Sequence, residues 1–105
     1  MEIINIQEFH DRVQNLGDND YILDVRSPEE FSEGHIENAH NTPHEEVGPL
    51  VEELEPYDHV YVHCKMGGRA KIASKILING GLNNVICVGD GGMQAWMENG
   101  WPVER

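Results

Sequence analysis

Three short apolar runs confine this chain to a narrow set of folds: Tyr21-Ile22-Leu23-Asp24-Val25, Val60-Tyr61-Val62-His63 and Val85-Ile86-Cys87-Val88. They have the length of strands and are almost continuously apolar, the pattern of strands covered on both faces in a parallel sheet. Between them lie stretches with helical patterning. Ile6, Phe9, Val13 and Leu16 recur at helical spacing after Asn5, which with Glu8 reads as a capping box. Ser27-Pro28-Glu29-Glu30 places Ser at the N-cap, Pro at N1 and Glu at N3 of a short helix that Gly34 ends. Val47, Leu50, Val51 and Leu54 predict another helix, closed before Pro56. Arg69 to Asn79 predicts a helix with Ala70, Ala73, Ile76 and Leu77 on its apolar face and Gly80-Gly81 as its C-cap. Ile3-Ile4 predicts a short first strand, and Ile36 to Thr42 a loop with a brief strand. A turn at Gly89-Asp90-Gly91-Gly92 precedes a short helix carrying Met93, Trp96 and Met97. Strands alternating with helices imply βαβ units. The expected fold is therefore α/β, a mostly parallel central sheet of about five strands with helices on both faces.

The length of 105 residues predicts one domain over residues 1–105. Two cysteines are too few for a disulfide framework. No apolar stretch approaches the roughly 20 residues of a membrane span. The start, MEIINIQEF, has no basic region and no long apolar run, so no signal peptide is expected. A cytoplasmic, reducing setting with both thiols free follows as the default. A net charge of −12 argues against a nucleic-acid or anionic-membrane binder. That charge is uneven: residues 1–60 hold 16 acids and 2 bases, whereas residues 61–105 hold 3 acids and 5 bases. Lys65, Arg69, Lys71 and Lys75 crowd into one basic window that begins one residue after Cys64.

The segment from Val60 to Ala70 carries the chemistry. A buried strand delivers Cys64 to its C-terminal end, a loop with Gly67 and Gly68 follows, and a helix begins. In open α/β sheets ligands bind outside the carboxyl ends of the strands. The loop amides can converge above the sulfur as an anion nest, and the helix N-terminus adds partial positive charge. Both favour thiolate over thiol at Cys64. Arg69 adds a permanent cation at the rim. The site suits a thiolate nucleophile whose attached group is anionic, which leaves sulfur transfer and phosphoryl transfer as competing chemistries. Four residues, Lys65 to Gly68, separate Cys64 from Arg69. A tetrahedral phosphate needs a wide cradle, and a single outer sulfur a smaller one.

Four motifs in order resemble the single-domain rhodanese family, a sulfurtransferase-type fold. They are Asp24-Val25-Arg26 with Glu30-Phe31, Gly34-His35-Ile36 and Ala39; Val62-His63-Cys64 with Gly67 and Arg69; Gly91-Gly92 with Ala95-Trp96; and Gly100-Trp101-Pro102-Val103. The resemblance implies that Cys64 is the persulfide-bearing nucleophile. It implies that the amides of Lys65, Met66, Gly67, Gly68 and Arg69 cradle the outer sulfur. Arg69 and Lys65 would hold a small anionic donor such as thiosulfate. The acceptor would be cyanide or a thiol, a thiol-bearing protein included, and the acidic first sixty residues offer such a protein a docking face. No metal or organic cofactor is implied. Ala70 stands where many relatives have serine. Related phosphatases and arsenate-reducing enzymes have a loop one residue longer, so the short loop favours sulfur. A phosphatase, an arsenate reductase, or a binding or redox-sensing module without turnover remain the alternatives.

Other candidates have plainer readings. Asp24 and Arg26 are expected to tie loops together, and His35 to shape a turn. His63 adjoins Cys64, but neighbouring side chains on a strand point to opposite faces, so no direct dyad is expected. His40 and His44 with Glu45 would need a helix to share a metal, and Pro43 opposes one. Cys87 is expected in the core, and Trp96 and Trp101 as packing anchors.

Overall fold

The computed structural model describes residues 1–105. Five strands, β1 (Glu2–Asn5), β2 (Asp20–Asp24), β3 (His40–Asn41), β4 (His59–His63) and β5 (Val85–Asp90), form one sheet in the order β1-β5-β4-β2-β3. Every pairing is parallel. The helices between them are α1 (Ile6–Gln14), α2 (Pro28–Glu33), α3 (Val51–Leu54), α4 (Gly68–Asn79) and α5 (Met93–Glu98). None is long and apolar enough to cross a membrane. The α/β expectation and the parallel sheet of five strands hold.

Alternation along each strand sorts the core into two halves. Leu23, Val60, Val62, Val85 and Cys87 face one side, where Leu54 of α3 and Ala70, Ala73 and Leu77 of α4 cover them. Ile4, Ile22, Tyr61, Ile86 and Val88 face the other side, under Phe9 of α1 and Met93 and Trp96 of α5. Phe9 is fully buried, and burying a side chain of that size stabilises by roughly 1.5–3 kcal/mol. Cys64, just past β4, belongs to the α4 half.

Ile76, expected with Ala70, Ala73 and Leu77 on the apolar face of α4, is instead exposed, and two further helix expectations change. The predicted helix through Val47 and Leu54 is three separate turns: 3-10 turns at His44–Glu46 and Gly48–Leu50, then the single turn of α3. Gly48-Pro49 accounts for the break, because the proline ring disfavours helical geometry at the residue before it and that residue is a glycine, a weak helix former. The apolar positions still do their work, with Val47 and Leu54 fully buried. At α1 only half of the capping box forms. Asn5 accepts the Glu8 amide at 2.8 Å, but the Glu8 carboxylate turns to Arg12 one turn on. At α2 the box is complete: Ser27 Oγ accepts the Glu30 amide at 3.2 Å, and Glu30 Oε1 accepts the Ser27 amide at 3.0 Å.

Candidate active site

β4 ends at His63, and the chain passes through Cys64 into the N-terminus of α4. Gly67 is the N-cap of α4 and has no side chain to cap with. The cysteine sulfur takes that role. Cys64 Sγ accepts the Ala70 amide at 3.3 Å and the Gly67 amide at 3.1 Å, and Cys64 is 1% exposed. The buried sulfur thus takes two backbone N–H donors at the start of α4.

The loop is locked by its glycines. Gly67 has φ +115°, and a Cβ there would stand 2.5 Å from the Gly89 carbonyl oxygen at the end of β5. A Cβ on Gly92 would collide with the Cys64 and Lys65 carbonyls. That closeness lets α5 use its first free amides on the loop: Met93 N–H donates to the Cys64 carbonyl at 2.8 Å and Gln94 N–H to the Lys65 carbonyl at 3.2 Å. In a trans peptide the N–H points opposite to its C=O. Pinning these two carbonyls to α5 therefore turns the Lys65 and Met66 amides away from α5, towards the α4 side where the sulfur lies. The amides of Lys65, Met66, Gly68 and Arg69 have no acceptor within the protein, so four donors remain for a group beyond Sγ.

Of the five expected cradle residues, Gly67 alone donates to the sulfur already. Ala70, expected on the apolar face of α4 and as a missing hydroxyl, contributes its amide as well, a donor that its place at N3 of α4 could have suggested. Lys65 and Met66 are exposed at the rim, and Gly68 is exposed beside them. Arg69 does not stand free. Its Nη1 and Nη2 donate to Glu30 Oε1 and Oε2 at 2.6 and 3.0 Å. The Glu30 hydrogen bonds hold the guanidinium strongly protonated against partial burial, with Cys64 and Asp24 adding to the effect. Glu30, read from sequence as a capping residue and as part of the first family motif, is thus part of the site's rim.

Beneath the loop, Asp24 and Arg26 form a buried pair. Arg26 Nε and Nη2 reach Asp24 at 3.0 and 2.8 Å, and Nη2 also donates to the Gly34 carbonyl at 2.8 Å. Burial opposes the Asp24 charge, but His63 and Arg26 outweigh it and hold the carboxyl well below its usual range. His63 lies on the face opposite Cys64, over Phe9 at 5.2 Å and 3.4 Å from Asp24 Oδ2, so no Cys–His dyad forms. His35 stacks on Phe31 at 3.8 Å and bridges to Glu104. His40 stacks on Tyr21, whereas His44 sits in a separate 3-10 turn. Trp96 is buried and donates Nε1–H to the Pro102 carbonyl at 2.8 Å, and Trp101 stacks on His10. Cys87 is fully buried, and burial pushes its thiol up. Its register partner is Val62, two residues before Cys64. Strand spacing then separates the two cysteine Cα atoms by roughly 8 Å, beyond disulfide reach without backbone movement.

The family model described as Rhodanese-like domain matches residues 6–99. The chain is 35% identical over 94 residues to thiosulfate sulfurtransferase 16, chloroplastic, of Arabidopsis thaliana, covering 78% of each. It is 31% identical over 84 residues to thiosulfate sulfurtransferase GlpE of Vibrio cholerae, covering 80% of this chain and 78% of the relative. A solved structure of a rhodanese-related protein from Thermoplasma volcanium superposes with a TM-score of 0.79 at 31% identity, covering 99% of this chain and 98% of the other.

Proposed function

This chain belongs to the rhodanese-like domain family, and on that premise we propose that it moves sulfane sulfur from a small anionic donor to a thiophilic acceptor through a persulfide on Cys64. One observation carries the reading: the Cys64 sulfur accepts two backbone N–H groups at the start of α4 while four further loop amides stand unclaimed. That arrangement supports a thiolate that gains one more negatively charged sulfur. With thiosulfate, the thiolate attacks the outer sulfur, the donor's S–S bond breaks, and the electron pair leaves with sulfite. Cys64 then carries a persulfide whose outer sulfur lies among the amides of Lys65, Met66, Gly68 and Arg69. Cyanide or an acceptor thiolate attacks that outer sulfur, leaves as thiocyanate or a new persulfide, and restores the Cys64 thiolate. Charge and atoms balance in both steps without a cofactor. The two names carried by the curated relatives support the same donor.

Steady-state thiocyanate formation from thiosulfate and cyanide tests the reading. Turnover with the two-step, ping-pong dependence on both substrates is expected, falling to background in Cys64→Ser. Background rates in the parent chain, or equal rates in parent and variant, overturn it.

A further inference from the structure

The charge at the mouth of the site differs from what the basic window suggests. Arg26 is buried against Asp24. Arg69 is engaged at both terminal nitrogens by Glu30. Lys65 makes no ion pair and lines the groove beside the cradle. The groove on the Lys65 side, of about 430 Å³, is lined by Arg26, Glu30, Glu33, Gln94 and Glu98 as well as by Lys65. On the other side of the Glu30–Arg69 pair lie His44, Glu45 and Glu46. A dianion approaching Cys64 therefore meets Lys65 and several carboxylates.

Glu30 is built into its position by two unrelated jobs. Its Oε1 accepts the Ser27 amide, the Ser27 hydroxyl and Arg69 Nη1, and its Oε2 accepts Arg69 Nη2. The first job caps α2 and is also within the reach of glutamine, since the box accepts Glu or Gln at N3. The second job needs a carboxylate, because only it offers two acceptor oxygens and a charge to the guanidinium fork. One substitution can therefore separate the two.

We propose that Glu30 is a positioning residue that sets the charge class of the sulfur donor: by holding and neutralising Arg69, it makes the site favour donors with a single negative charge or none over the thiosulfate dianion. The proposal rests on the sulfur-transfer reading. In the parent chain a thiosulfate dianion meets the loop amides and Lys65 but no unpaired arginine. In Glu30→Gln the Arg69 guanidinium keeps its charge and loses its bidentate partner, so it becomes available to the donor.

The test compares kcat/KM for thiosulfate with that for benzenethiosulfonate, a monoanion that delivers its outer sulfur and leaves as the sulfinate. In Glu30→Gln the ratio is expected to rise on the order of tenfold, through a lower KM for thiosulfate. Adding Arg69→Gln should abolish the rise. Glu33→Gln removes the same charge from the same groove without touching Arg69, and should move the ratio by no more than about twofold. A ratio unchanged in Glu30→Gln overturns the proposal, as does an equal rise in Glu33→Gln or a rise that survives Arg69→Gln. If Glu30→Gln fails to fold, Arg69→Gln in the parent decides: a thiosulfate-to-monoanion ratio within about twofold of the parent's supports the proposal, because a neutralised arginine adds nothing for the dianion, and a ratio that falls about tenfold overturns it. A parent chain that takes sulfur from neither donor defeats the sulfur-transfer reading itself, which a merely unchanged ratio does not.

Discussion

Gly67 and Gly68 are neighbours in the same loop, yet a methyl group meets different surroundings at each. At Gly67 the backbone has φ +115° and the Gly89 carbonyl stands 2.5 Å from where a Cβ would be. At Gly68 nothing lies within 4 Å of an added Cβ. Gly67→Ala should therefore cost about 1–3 kcal/mol in unfolding free energy, from strain at a left-handed position, and should move the Gly67 amide off the sulfur. Gly68→Ala should stay within about 0.5 kcal/mol of the parent and keep its turnover, because its amide is untouched. Urea unfolding together with thiocyanate formation checks both, and equal behaviour of the two variants would contradict the account. At the same scale, Cys87 shares the core half of Cys64 but lies beyond disulfide reach, shielded and with its thiol pushed up by burial.

The elements are tied to one another by charges as well as by packing. Glu30 links α2 to α4 through Arg69, and Asp24 at the end of β2 holds Arg26, which in turn binds the carbonyl of Gly34 after α2. Hydrogen bonding from Arg69 leads the effects that bring Glu30 down to about 2, against the opposing effect of burial. Asp24 is also depressed, as His63 and Arg26 overcome its burial. Both folded values lie below those of the unfolded chain. Each group therefore contributes stability that is present above the ordinary carboxylate range and is lost as pH falls towards the folded value. Stability to urea should decline as pH drops from about 4.5 towards 2, and Glu30→Gln should flatten part of that decline while leaving the Asp24 part. An identical pH slope in the variant would contradict the tie between α2 and α4. The single turns around Gly48-Pro49 show the limit of pattern reading here: apolar spacing marked Val47 and Leu54 as buried, but the proline's restriction on Gly48 decided the backbone.

Across the whole molecule, what was legible in the sequence is what local pattern encodes. The apolar runs marked the sheet, the Ser27 box marked α2, and the step from Val62 through Cys64 to Gly67 marked the strand–loop–helix site. What escaped is what tertiary proximity creates. Glu30 and Arg69 lie 39 residues apart, and nothing in either local pattern joins them. The donation from α5 to the Cys64 and Lys65 carbonyls depends on Gly92 coming against a loop almost thirty positions earlier in the chain. The charge arithmetic changes accordingly: the basic window is real, but its arginine is matched by a glutamate from the acidic half. A sulfur carried on Cys64 is read directly by the mass of the intact chain. After brief treatment with thiosulfate and removal of excess donor, one added sulfur per chain is expected, lost on addition of cyanide, absent in Cys64→Ser and retained in Cys87→Ala. No adduct on the parent chain, or the same adduct on Cys64→Ser, would contradict it.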